Sequence, residues 1–221
     1  MENLNYSDFS WIILSLICAS LYFITTFKIK LKYNWFYKSL SIISLGVFCF
    51  NKIDMKQIEF IYLSMFLASL GDFWLGYDDK KYFLHGLTAF LFAHILSAIF
   101  FILHFKNENL LNNKIISIII ILFLFSLMLY NYIAKNLKNY KIPVILYIII
   151  LLIMAYSAIL SQFNTITLVI GILLFIISDS ILAVQKFKHN FKLADQFIWV
   201  SYYLAQLLII SNLYILHNSN L

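Results

Sequence analysis

The sequence contains no arginine, one proline, five glycines and two cysteines, and only 12% of its 221 residues are charged. A soluble domain is about half apolar and about a quarter charged. Here 63% of residues are apolar, more than a soluble core of this size can hide, so lipid must solvate much of the chain. The scarcity of glycine and proline argues against long flexible linkers, and one membrane domain is expected to fill residues 1–221. With arginine absent, sixteen lysines carry the net charge of +6. They lie between apolar runs rather than on a face of interleaved aromatics. They therefore read as topology signals and contacts for lipid headgroups, and no nucleic-acid partner is expected. Cys18 and Cys49 both fall inside apolar runs, which gives neither a disulfide framework nor a metal-type spacing. Met1–Ser10 holds no basic region before its apolar run, so the first span is expected to be retained rather than cleaved.

What is present is a series of long apolar runs. A helical span needs roughly 20 apolar residues, and eight candidates occur: Ser10–Phe27, Phe36–Phe50, Ile58–Tyr77, Tyr82–His104, Lys114–Ile133, Ile142–Ser161, Thr165–Gln185 and Ala194–Leu216. The second is short and serine-rich. Pro143 falls in the first turn of the sixth, where its missing N–H breaks no helix hydrogen bond. The runs are about twice the length of a membrane strand and do not alternate polar with apolar residues. The expected fold is therefore all-α, a polytopic membrane protein with a bundle of eight transmembrane helices.

Orientation follows from the lysines. Lys28, Lys30, Lys32, Lys38, Lys80, Lys81, Lys135, Lys138, Lys141, Lys186, Lys188 and Lys192 lie on one side, and Lys52, Lys56, Lys106 and Lys114 on the other. The positive-inside rule makes the richer side cytoplasmic and places both termini outside. The bias toward lysine, isoleucine and asparagine is that of an AT-rich bacterial genome, so the inner membrane is the expected location. Gly71-Asp72-Phe73-Trp74-Leu75 resembles Ser178-Asp179-Ser180-Ile181-Leu182, each near the cytoplasmic end of the third helix of its half. A four-plus-four parallel repeat is a reading of this echo.

Eight of the ten acidic residues lie in the N-terminal tail, in loops or at helix ends; Asp72 and Asp179 do not. Each is expected about 8–9 Å inside its helix end. A charge well inside a span costs about 2.5–3.5 kcal/mol, and such residues face a bundle interior or a wet cavity. At matched depth the two carboxylates are expected to share a site. Low dielectric and mutual repulsion would keep one of them protonated, giving an acid and a base. The competing reading is that a lysine or tyrosine bonds each aspartate and fixes helix packing. Lys38 opens the second helix, where it reaches a headgroup, an aspartate or only the interface. Tyr202, Tyr203 and Gln206 lie two to three turns inside the eighth helix, where a tyrosine can donate to a carboxylate or simply pack. His94 is near the middle of the fourth helix and can relay a proton or bond across helices. His85 and His94 are nine residues apart, not the four of a helical metal motif, which leaves a zinc site built from them and the aspartates as the lesser reading. No serine nucleophile motif and no phosphate-cradling glycine loop is present.

At these residues the sequence resembles the YhhN family of membrane proteins, whose members include the animal lysoplasmalogenases. Gly71-Asp72, Phe83, Gly86, Phe90 and His94 resemble the family's third and fourth helices. Phe175, Ser178-Asp179-Ser180 and Leu182 resemble its seventh, and Tyr202-Tyr203-Leu204-Ala205-Gln206 its eighth. Lys38-Ser39-Leu40 resembles the family's Lys-Pro-Leu, with serine for proline. The resemblance implies hydrolysis of the vinyl-ether bond of a lysoplasmalogen to a fatty aldehyde and a glycerophospho-headgroup, with Asp72 and Asp179 as catalytic carboxylates. Lys38, His94, Tyr202, Tyr203 and Gln206 would bind the lysophospholipid. Residue chemistry alone does not divide the roles; Asp179 as acid and Asp72 as base is the working assignment. The other reading of the same intramembrane aspartates is a proton-coupled transporter or a lipid-binding protein.

Overall fold

The computed structural model describes residues 9–28, 33–106 and 113–219. Lys30, Lys32 and most of the N-terminal tail lie outside the described residues. Eight α-helices occur among those described. They are α1 (Ser10–Lys28), α2 (Asn34–Lys52), α3 (Glu59–Asp78), α4 (Lys80–Leu103), α5 (Asn113–Ile133), α6 (Lys141–Leu160), α7 (Ile166–Phe187) and α8 (Ala194–Ser219). No strand is present among the described residues; the nearest thing is an isolated bridge between Phe105 and Ser161.

Six of the helices, α3 to α8, are long and apolar enough to cross a membrane. The apolar part of α1 is shorter, Ser10–Thr26. α2 is not among the six: its nineteen residues include Asn34, Lys38, Asn51, Lys52 and three serines. The backbone of a span must satisfy its own hydrogen bonds, and the helix ends show how this is done. Thr165 caps α7, its hydroxyl accepting from Leu168 N at 3.3 Å. α3 and α4 are nearly continuous, parted at Asp78 (φ −159°, ψ 95°), whose Oδ1 accepts from Lys80 N at 3.0 Å and Lys81 N at 3.1 Å.

The chain divides into two compact units, residues 1–96 with 210–221, and residues 97–209. In the first unit, Ser15 Oγ of α1 donates to Ser41 O of α2 at 2.7 Å, and Ser69 Oγ of α3 donates to Ser39 O of α2 at 2.9 Å. The end of α8 packs in this unit, with Tyr214 and Phe48 rings 5.2 Å apart. In the second unit, Tyr156 OH of α6 donates to Ile119 O of α5 at 3.2 Å, and Ser178 Oγ of α7 donates to Ile198 O of α8 at 3.0 Å. Lys106 N donates to Leu160 O at 3.0 Å and Gln162 N to His104 O at 2.9 Å, tying the end of α4 to the α6–α7 connection. α5 is the most exposed of the six long helices, with Ile120, Ile121, Phe123, Leu124 and Met128 facing outward where lipid is the solvent.

The glycines have an unexpected use. None has a positive φ; among the described residues the left-handed positions belong to Gln57, Lys138 and Leu193. All five glycines lie inside helices, where small residues let backbones approach. A Cβ on Gly71 would meet the Phe90 ring at 2.6 Å, and one on Gly86 would meet Leu75 Cγ at 2.6 Å, so α3 and α4 interlock at two levels. A Cβ on Gly171 would meet Ala205 O of α8 at 3.3 Å. At Gly76 it would lie 2.6 Å from Trp35 Cβ and 3.1 Å from Trp35 Cα. Because backbone as well as side chain must shift there, Gly76→Ala is expected to destabilise the protein by about 1–3 kcal/mol. Gly46→Ala, whose Cβ meets only Met65 Cβ at 3.2 Å and Tyr62 O at 3.7 Å, should cost less. Thermal unfolding in detergent compares the two, and equal midpoints would contradict this packing.

Candidate functional site

Asp72 is fully buried on α3. The Lys38 ammonium lies 2.8 Å from its Oδ1, and the Lys38 side chain is itself only 11% exposed. α2 delivers this lysine from its second turn. One turn earlier on α2, Trp35 packs on Gly76, one turn beyond Asp72 on α3. The tight Trp35–Gly76 approach therefore fixes the spacing of the ion pair beside it. Lys38 Nζ also sits 5.9 Å from the centroid of the Tyr22 ring of α1.

Around this end of the first unit the aromatic rings form a chain. Trp35–Phe73, Phe73–Trp74 and Trp74–Tyr82 centroids are each 4.9 Å apart, and Phe73 and Tyr77 stack at 5.8 Å. Rings of this kind gather at membrane–water interfaces. Lys80 and Lys81 are exposed just beyond them, and Lys81 Nζ lies 5.0 Å from the Tyr82 ring centroid. Trp74, Leu84, His85, Thr88, Ala89 and Phe92 line an open groove of about 350 Å³ on the α3–α4 face. His85 is exposed there, whereas His94, further along α4, is buried.

In the second unit Asp179 is half-buried on α7. Tyr147 of α6 donates its phenol proton to Asp179 Oδ2 at 2.7 Å. The flanking Ser178 and Ser180 are buried, and Ser180 Oγ bonds back to Ile176 O at 2.6 Å. Tyr202, Tyr203 and Gln206 are all buried on α8. Tyr202 meets Phe175 of α7 edge-on at 5.4 Å, and Tyr203 stacks on Trp199 at 5.5 Å.

α3 runs on from Asp72 to Asp78, and α7 from Asp179 to Phe187. At the rise of an α-helix, Asp72 lies about 9 Å and Asp179 about 12 Å before the helix end. Asp72 matches the expected depth. Asp179 is slightly deeper because α7 extends past Gln185. Of the residues singled out in the sequence, the structure joins Lys38 to Asp72 in the first unit, which also holds His94. It places Tyr202, Tyr203 and Gln206 with Asp179 in the second.

Sequence reasoning missed Tyr147. The chain has fifteen tyrosines, and none is marked as a partner by type alone. The signal lay in the spacing: Lys38 and Tyr147 are separated by nearly the same number of residues as Asp72 and Asp179, and α2 sets Lys38 on Asp72 of α3 as α6 sets Tyr147 on Asp179 of α7.

The family model described as the YhhN family matches residues 33–213. That stretch runs from just before α2 into the last turns of α8 and includes both aspartates, Lys38 and Tyr147. No curated protein and no solved structure matches the chain.

Proposed function

The chain belongs to the YhhN family, and on that premise we propose that it is a membrane-embedded hydrolase that cleaves the vinyl-ether bond of lysoplasmalogens. Asp72 and Asp179 are its working carboxylates. The observation that carries this reading is the buried Lys38–Asp72 pair. A carboxylate about 9 Å inside a helix end, with an ammonium brought to it at 2.8 Å, is a costly arrangement to keep in an apolar medium.

A vinyl ether is cleaved by protonating its β-carbon, which leaves an oxocarbenium ion that water then attacks. One carboxylic acid to give the proton and one carboxylate to offset the cation or activate water meet that need. The pairing follows the logic of glycosidases. A single-chain lipid would enter from the cytoplasmic leaflet. Its phosphate would meet Lys38 or loop lysines such as Lys80 and Lys81. His94, Tyr202, Tyr203 and Gln206 would be substrate-binding residues, as the family resemblance implies, and the scheme needs no metal or organic cofactor.

All eight helices would cross a bacterial inner membrane as a four-plus-four repeat, with the lysine-rich ends cytoplasmic and both termini outside. A C-terminal reporter that works only in the cytoplasm should stay silent; a bright one would reverse this topology.

A second reading is favoured by one observation, the like placement of Lys38–Asp72 and Tyr147–Asp179 in the two halves. Transporters are often built from such repeats, and intramembrane carboxylates carry protons in many of them. Purified protein in detergent, given a lysoplasmalogen, separates the two. Release of fatty aldehyde supports the hydrolase. No release from any lysolipid, together with proton-coupled uptake in vesicles, would replace it with the transporter.

A further inference from the structure

We propose that Tyr147 is the positioning residue of Asp179, and that Asp179 is the aspartate that gives up and takes back the proton while Asp72 stays ionised. Two contacts carry this.

At Asp72 the partner is an ammonium, 2.8 Å from Oδ1 and nearly enclosed. Protonating Asp72 would leave the Lys38 charge facing a neutral acid in a medium of low dielectric, which costs far more than it does in water. The ion pair therefore holds Asp72 as a carboxylate. A reaction that needs one aspartic acid must take its proton from the other.

At Asp179 the partner is a phenol, whose O–H donates to Oδ2 at 2.7 Å. A phenol donates to a carboxylate oxygen and, less strongly, to the carbonyl oxygen of a carboxylic acid, and as a neutral donor it holds the charged form far less firmly than the ammonium holds Asp72. The contact therefore survives both states, and Asp179 can lose and regain a proton without rebuilding its surroundings. The contact also selects an atom. With Oδ2 accepting from Tyr147, the exchangeable proton rides on Oδ1, and the carboxyl cannot turn over freely. α6 supplies the rigidity: Tyr147 stands in the run Ile142–Met154, where every other residue is aliphatic, proline or methionine.

In the hydrolase, on which only the identity of the proton acceptor depends, the step is as follows. The Asp179 Oδ1–H bond breaks as a C–H bond forms at the β-carbon of the vinyl ether, using the double bond's π electrons. The ether oxygen's lone pair then makes the oxocarbenium ion. Water adds at the α-carbon, and its surplus proton returns to Asp179. The resulting hemiacetal collapses to aldehyde and alcohol, and Asp179 ends as it began.

The test needs no substrate. Dicyclohexylcarbodiimide reaches membrane-embedded carboxyls and is attacked only by the protonated form, ending as a stable N-acylurea that peptide mass mapping locates. Treatment of the whole protein in detergent is expected to label Asp179 and spare Asp72, and Lys38→Met should open Asp72 to labelling. Tyr147→Phe keeps the ring and removes the donor. It should change the labelling rate at Asp179 and lower kcat about tenfold, the worth of one hydrogen bond, with KM little changed and the thermal midpoint near that of the unaltered protein. Labelling of Asp72 with Asp179 spared, or labelling of neither, would overturn the assignment of the proton. A Tyr147→Phe protein with unchanged labelling and unchanged kcat would overturn the role of Tyr147. If no lysolipid is hydrolysed, the hydrolase reading falls, and the labelling pattern still decides which aspartate exchanges its proton.

Discussion

Asp72→Asn and Asp179→Asn are each expected to lower aldehyde release by about 10²–10⁴-fold, the usual worth of a positioned acid or base. Asparagine keeps the size of the side chain and removes both its charge and its proton. The two losses should not add. Groups that serve one bond-breaking event act as a unit, so the double variant is expected to be little worse than the poorer single one. Asp72→Asn carries a complication, because it leaves the Lys38 ammonium beside a neutral amide. Pairing it with Lys38→Met removes that charge and separates lost chemistry from lost folding. Release within a few-fold of the unaltered protein in either single variant would remove that aspartate from the reaction.

Lys38→Met alone is expected to destabilise the fold by about 3–5 kcal/mol, because Asp72 loses its partner in an enclosed, apolar setting and must take up a proton to stay there. Asp72 has no exposed surface of its own through which water could compensate. The Lys38→Met, Asp72→Asn double variant should recover most of the loss, since two neutral side chains of similar volume need no partner charge. Thermal or denaturant unfolding in detergent closes the cycle. A coupling near zero between the two sites would mean that the pair contributes nothing to stability. Tyr147→Phe belongs to a different class. It removes a neutral donor, and its mark is on turnover rather than on the midpoint.

The helices were largely legible in the sequence, because lipid rewards an unbroken apolar run and little else makes one. Ile142–Ser161 was expected and Lys141–Leu160 is found; Thr165–Gln185 was expected and Ile166–Phe187 is found. α2 is helical as expected, but its lysines and serines leave it outside the six helices apolar enough to span on their own. The gap expected between Tyr77 and Tyr82 is narrower in the structure. Asp78 caps α4 from the end of α3, so the connection is little more than one residue.

The two aspartates stood out because charge is rare in such a run. Their partners did not. Which side chain meets Asp179 depends on how far α6 is rotated and where it crosses α7, and hydrophobic periodicity cannot carry that information in a helix apolar all round. Lys38 was one of sixteen lysines and had three plausible fates; a contact of 2.8 Å picks one. The work of the glycines was hidden for the same reason. Their scarcity argued against flexible linkers, but only the crossing points of α2, α3, α4, α7 and α8 show that each one allows close approach.

The capped joint between α3 and α4 bears on how the protein is made. α3 is the least apolar of the six long helices and carries Asp72, whereas α4, which follows it from the ribosome, is much more apolar. A segment with an aspartate in its interior enters lipid reluctantly on its own. Joined by a turn of about one residue and interlocked at Gly71 and Gly86, the two form a ready helical hairpin. α4 can then draw α3 into the bilayer as its passenger. Biogenesis should therefore be sensitive to the length of this joint. Residues inserted after Asp78 would uncouple the two helices during synthesis and leave Asp72 stranded at the membrane surface before Lys38 could meet it.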